Sequence, residues 1–473
     1  MKLRIHAWAT FFSEFTPLAE SGYDACMNKH TYVDDSVLEA LYPDHIETIK
    51  SRHDQALERA GANHAVIFSG APRAVFLDDY DYPFKPNPHF VGWLPITQMP
   101  YCYVIYTPGE SPVLVYYQEQ DYWHLPPADP EGFWASQFDI RLVHSSGEIA
   151  RHFPEDRDNC ILIGEIHDPA HAFGIDRVNP YSALNILHYG RGVKTAYELE
   201  CMRSASRRGV TGHRVAEQAF LSGRSEHDIH LDYCRAVGHT ENALPYGNII
   251  ALNENGAVLH YQHQSREKPA EHRSFLIDAG AKVNGYASDI TRTYAKKSGE
   301  FADLIARFDQ LQQELVAEVV AGLDFSELHL LCHRKIAELL AETRIAIGSA
   351  DALMEAGVTS AFYPHGLGHL LGIQVHDVGG HQGDEDGKVI DPPSGHPFLR
   401  LTRKLEVDQV LTIEPGLYVI DMLQKTLADS PGHAMVDQQR LDWLRPFGGI
   451  RIEDNVRVLA DGCENLTRDA FAA

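Results

Sequence analysis

Hydrophobic and polar positions follow two different periods along this chain, and their mixture changes near residue 190. Residues 44–62 (DHIETIKSRHDQALERAGA) place apolar side chains at helical spacing and predict an amphipathic helix. HAVIFSG (64–70), YCYVIYT (101–107), PVLVYYQ (112–118) and NCILIGEI (159–166) are short apolar runs between Pro- and Gly-rich turns and predict strands. PYSALNILHYG (180–190) closes this region as a helix. From GVKTAYELECMRSASRRGV (192–210) onward long helical patterns dominate, notably 301–321 and 326–342, with β-branched runs between and after them. The pattern predicts an α+β chain of two domains, an α/β domain over 36–190 and a second over 191–473, preceded by an extension, 1–35. His, Ser and Glu interrupt the apolar stretch of MKLRIHAWATFFSEFTPLAE, so no signal peptide is expected.

The chemistry sits where apolar runs end in acids. In FLIDAGAKVNGYASDITRTY (275–294) the Asn284-Gly285 pair predicts a two-residue hairpin turn. Pairing 283 with 286 sets 278 opposite 291 and 289 opposite 280, which puts Asp278 and Asp289 on one face as diagonal neighbours. Two carboxylates that close repel one another and call for a cation. Glu414 follows VLTI and Glu453 follows GIRI, so each acid ends a run that reads as a buried strand, where an unpaired carboxylate is too costly to keep. Arg451 lies two residues from Glu453 on the same face and is expected to orient the acids and complete the substrate site. In HGLGHLLGIQVHD the glycines argue against a regular helix, and His365, His369 and His376 are expected to converge on the acids. Asp278, Asp289, His369, Glu414 and Glu453 together suit two hard or borderline divalent ions, Mn²⁺ first, with Co²⁺ or Zn²⁺ able to substitute. Such a pair is equipment for hydrolysis.

Composition narrows this only by exclusion. The 473 residues exceed what one core organises, and a formal net charge of −25 argues against nucleic acid or an anionic membrane as partner. No apolar run is long enough to span a bilayer. Seven cysteines without a C-x-x-C pair read as free thiols of a reducing, cytoplasmic compartment, with Cys102 and Cys234 as small core residues.

These blocks, with FLDDYDYPFKPNPHF (76–90) and LPYGNIIALNENGAVLHY (244–261), resemble the pita-bread metallopeptidases, and within them the Xaa-Pro dipeptidase branch that includes the organophosphorus acid anhydrolases. The resemblance implies a creatinase/prolidase-type α/β N-terminal domain followed by a pita-bread catalytic domain, a curved antiparallel sheet backed by helices. It implies that Asp278 ligates one ion, His369 and Glu414 the other, and that Asp289 and Glu453 bridge them. Glu414 would also move the proton of the attacking water. His376 and His260 would face the substrate, and His365 and Tyr246 would line the pocket. Arg400, which on residues alone reads as an exposed loop charge, would take the free carboxylate of a dipeptide. Asp79 and Trp123 would reach across a homodimer into the partner's site.

The activity implied is hydrolysis of Xaa-Pro dipeptides, whose bond lacks the N–H that ordinary peptidases use. A side activity on uncharged phosphotriesters is also expected, with Tyr246, Leu367 and Val375 as walls. Two alternatives stand beside it: an aminopeptidase P cutting longer Xaa-Pro peptides, and a non-catalytic binding protein on the same fold.

Overall fold

A computed structural model describes residues 34–473. The expected extension 1–35 therefore lies outside the described residues, except for Asp34 and Asp35. Asp34 caps helix α1 (Asp35–Ala60) through a hydrogen bond from the Ser36 amide, and Gly61 ends it in a left-handed conformation. This helix starts well before the amphipathic pattern at 44–62, with Pro43 inside it.

The first domain is a five-stranded mixed sheet in the order β4-β3-β2-β1-β5, from β1 (His64–Phe68), β2 (Tyr103–Tyr106), β3 (Val113–Tyr117), β4 (Asp139–Val143) and β5 (Cys160–Ile163). β1 and β5 run parallel, as do β3 and β4, while β2 is antiparallel to both its neighbours. β4 escaped the pattern because its residues are largely exposed or half-buried at the sheet's edge. Helix α2 (Tyr181–Arg191) packs beside α1, and α3 (Ala196–Leu221) follows with a capping box between Thr195 and Glu198.

In the second domain, α3, α4 (Glu226–Val237), α5 (Glu300–Ala317) and α6 (Phe325–Glu342) back two three-stranded antiparallel sheets. One joins β6 (Ile249–Leu252), β7 (Ser274–Asp278) and β10 (Thr291–Ala295) beyond the hairpin tip β8 (Lys282–Val283) and β9 (Tyr286–Ala287). The other joins β11 (Val410–Ile413), β14 (Asp454–Leu459) and β15 (Gly462–Asn465), with β12 (Gly416–Tyr418) and β13 (Gly449–Arg451) pairing beside it. A bridge between Thr291 and Glu453 ties the two sheets together. α5 stops at Ala317, short of the expected 321. The six cysteines among the described residues are free; Cys102 is buried, whereas Cys234 is half-buried, packed against a core cluster with its thiol beside His230. No described helix is long and apolar enough to cross a membrane.

Candidate metal centre

The hairpin forms in the register that its turn dictates. Asn284 and Gly285 have φ of 51° and 90°, the two positive values of a type I′ turn. Val283 pairs with Tyr286 and Asp278 with Thr291, and the Ala279 amide donates to the Ile290 carbonyl. Asp289 is held from behind, where its backbone exchanges two hydrogen bonds with the Asn455 side chain on β14. His369 reaches the acids from a loop laid directly on β11. A Cβ at Gly368 would stand 1.9 Å from the Thr412 carbonyl oxygen, so only glycine permits that approach.

Five side chains converge. Nε2 of His369 is 3.5 Å from Asp289 and 3.6 Å from Glu414. One candidate ligand atom each from Asp289, His369 and Glu453 lies within 4.8 Å of the others. Nδ1 of His369 donates to the Leu370 carbonyl at 3.0 Å, which leaves the Nε2 lone pair for a cation. Thr291 donates to Glu453 at 2.7 Å, and Arg451 donates to Asp278 at 2.8 Å. The other oxygen of each acid, Oε1 of Glu453 and Oδ1 of Asp278, is buried without a hydrogen-bond partner among the described residues. Orphaned buried carboxylate oxygens are what a bound cation satisfies. In the metal-free protein burial pushes Glu414 up to about 7 and Glu453 well above the usual carboxylate range, with the neighbouring acids adding to the shift. Burial also raises Asp278 against the opposing pull of Arg451. Asp289 goes the other way: burial works upward, but with no cation bound a protonated His369, aided by the Tyr246 hydroxyl, lowers it on balance. This oxygen-rich set with one imidazole fits hard or borderline divalent ions.

The centre opens into a cavity of about 2070 Å³ between the domains, lined by His260, His365, His376, Arg400, Tyr246 and Arg451 as well as by the acids. His365 is committed elsewhere: its Nδ1 donates to the Gly366 carbonyl, and its Nε2, 2.9 Å away, accepts from the Tyr418 hydroxyl. That hydroxyl also accepts from Arg451. The His376 ring stands 4.4 Å from that of His369, nearly perpendicular, and burial holds it neutral with a pKa of about 4. The Tyr246 hydroxyl is buried beside Asp278 and Asp289, and burial with the charges of these two acids raises its pKa.

Asp79 and Trp123, expected to face a second copy, are exposed on the first domain and lie outside this chain's own cavity. One expected placement differs. Leu367 is no wall; its backbone accepts from the Glu414 amide while its side chain fills the main hydrophobic core, whereas Val375 does line the cavity. Thr291, Tyr418 and Asn455 support the acids but went unread in the sequence, although each is two to four residues from a ligand candidate, the spacing at which a strand returns a side chain to the same face.

An α+β scaffold of two domains with a buried, cation-ready cluster of four acids and one imidazole defines a hydrolase-type metal protein. Residues 200–460 match metallopeptidase family M24, and residues 40–189 match the N-terminal domain of Xaa-Pro dipeptidase. The chain belongs to metallopeptidase family M24. It is 48% identical over 433 residues to the Xaa-Pro dipeptidase of Pseudoalteromonas haloplanktis, covering 91% of this chain and 98% of that one. To the Xaa-Pro dipeptidase of Aeromonas hydrophila it is 47% identical over 432 residues, with the same coverage. Among solved structures, the fold matches Escherichia coli aminopeptidase P with the inhibitor Pro-Leu, at a TM-score of 0.67 and 22% identity over 90% of this chain and 95% of that one. It also matches aminopeptidase PepP of Pseudomonas aeruginosa, with a TM-score of 0.67 and 24% identity over 91% and 95%.

Proposed function

We propose that this chain is a two-metal Xaa-Pro dipeptidase, releasing proline and the preceding amino acid. One observation carries the reading: relatives of that name match it at 46–48% identity across nearly their whole length. The likeness to aminopeptidase P structures is of fold alone, and Arg400 on the cavity wall favours a substrate that ends at the proline.

Asp278 would hold one ion, His369 and Glu414 the other, and Asp289 with Glu453 would serve both, manganese being the best match to the oxygen donors. When bound, the pair supplies Lewis-acid polarisation of the scissile carbonyl and a water acidic enough to attack at neutral pH. The protein's own groups do the rest. Glu414 takes the proton of the attacking water and returns it to the proline nitrogen, which has no hydrogen of its own and leaves only when protonated. His376, neutral and still an N–H donor, stabilises the oxygen that becomes negative. His260 and Tyr246 wall the pocket beside the metal centre, and Arg400 pairs with the substrate carboxylate through a charge-assisted fork.

The exposed first-domain residues Phe76, Leu77, Tyr122, Trp123 and Leu125 form apolar surface that suits a homodimer, in which Asp79 and Trp123 would reach the second copy's cavity. Uncharged phosphotriesters would be accepted as a side reaction, since a phosphorus centre also develops negative charge on oxygen. The free cysteines fit a cytoplasmic setting.

Metal analysis joined to a substrate panel tests the reading. Xaa-Pro should be cleaved faster than Xaa-Pro-Yaa-Zaa by protein carrying two ions per chain. A preference for the tetrapeptide would replace it with an aminopeptidase P.

A further inference from the structure

Apart from the acid-lined centre, three histidines meet inside the second domain. His329 and His333 stand one turn apart on one face of α6, and His396 comes from the loop that leads to the cavity wall. Nε2 of His329 is 3.0 Å from Nδ1 of His396. The three ring centroids are 4.5–4.8 Å apart, and the planes cross at 67–86°. Candidate ligand nitrogens from all three lie within 4.8 Å of one another. On a tetrahedral zinc ion, nitrogens bound at about 2.0–2.1 Å stand roughly 3.4 Å apart, and the 3.0 Å pair is close to that spacing.

Packing does not account for this group. His329 and His333 are 1% and 2% exposed, and their neighbours Leu328, Cys332 and Tyr363 belong to the main hydrophobic core. Nδ1 of His329 is buried without a partner among the described residues, so the ring makes its polar contact through Nε2, the atom that faces His396. His333 is steadied from behind by Thr359, 3.2 Å from its Nδ1, which leaves Nε2 to ligate. Burial holds His329 and His333 at about 2 and 3 and lowers His396, so all three are neutral imidazoles, the ligating form.

We propose that His329, His333 and His396 form a separate mononuclear site for a borderline divalent ion of the zinc class. The ion takes the place of the proton shared by His329 and His396 and clamps the 396 loop to α6. The next four residues, Pro397 to Arg400, all line the cavity, so this clamp positions Arg400; that second step rests on the reading of Arg400 as the carboxylate partner.

The test is zinc stoichiometry of the full chain, stripped with chelator and refilled with Zn²⁺ alone. Wild type should retain one more ion per chain than His396→Asn, with both proteins folded by circular dichroism. An Asp278→Asn/His369→Ala/Glu414→Gln chain, which loses the ligands assigned to each acid-centre ion alone, should still take up one ion, which decides the matter if His396→Asn fails to fold. Equal zinc in wild type and His396→Asn, or none in the triply substituted chain, would reduce the cluster to hydrogen-bonded neutral histidines. For the link to Arg400, His396→Asn should raise KM for an Xaa-Pro dipeptide several-fold with little change in kcat. Zinc loss with an unchanged KM would leave the ion site standing and remove the link.

Discussion

Replacing Asp377 by asparagine probes the anchoring of the segment that links the two domains. Asp377, directly after His376, is contacted by Arg191 at the end of α2 and by Lys194, whose Nζ is 3.2 Å away. The side chains of Asp377 and Lys194 are 1% exposed and that of Arg191 is 8%, so the ions are withdrawn from water. The substitution would keep the shape of the side chain and leave two buried cations facing a neutral amide. Removing one partner of a buried ion pair costs about 3–5 kcal/mol. Unfolding entropy for a chain of this size is roughly 1 kcal/mol/K if both domains melt together, so Tm should fall by about 3–5 °C. The sign of the pH dependence follows from the shift: burial pushes the Asp377 carboxyl up, but Arg191 and Lys194 together hold it below the usual value. A depressed folded pKa stabilises above the unfolded value, so the gap between wild type and Asp377→Asn should be full near neutrality and close as pH falls below about 4. Calorimetry of Asp377→Asn, Lys194→Met and the double variant supplies the coupling energy. Because Lys194→Met removes one of the stranded cations, the double variant should lose less than the sum of the two singles. Strict additivity, or a Tm for Asp377→Asn equal to that of wild type, would refute an energetic role for this triad.

Chelation should abolish peptidase activity, and Asp289→Asn should lower kcat by several orders of magnitude with an unchanged circular dichroism spectrum; a fully active chelated enzyme would remove the metal centre from the reaction. Arg400→Ala loses a charge-assisted contact worth roughly 1.5–3 kcal/mol, so kcat/KM for Xaa-Pro should fall about tenfold or more. An equal loss on tetrapeptides would place Arg400 away from the substrate carboxylate. Sedimentation should show a dimer, and a fully active monomer would sever Asp79 and Trp123 from the site. Manganese-loaded wild type should release fluoride from diisopropyl fluorophosphate faster than Asp289→Asn does, and equal rates would assign that reaction to something other than the acid centre.

Local interactions made much of this protein legible from its residues. The Asn284-Gly285 turn and the two-residue period of a strand set the register that brings Asp278 and Asp289 to one face, with no information from elsewhere in the chain. The buried runs VLTI and GIRI ending in acids announced Glu414 and Glu453, because an isolated buried charge is so unfavourable that its appearance implies a partner. What local pattern did not carry is which distant segments meet. The bridge between Thr291 and Glu453 closes the acid cluster, and the contacts of Asp377 with Arg191 and Lys194 tie the link between the domains to the loop that carries His376. The approach of His396 to His329 and His333 is of the same kind. Each joins residues far apart in the chain, and each is decided by how sheets and helices pack once formed, since neither hydrophobic period nor turn chemistry encodes the partner of an element. Leu367 shows the same boundary at the scale of one residue: its position beside the ligands was readable, but the packing of the β11 sheet turned its side chain into the core.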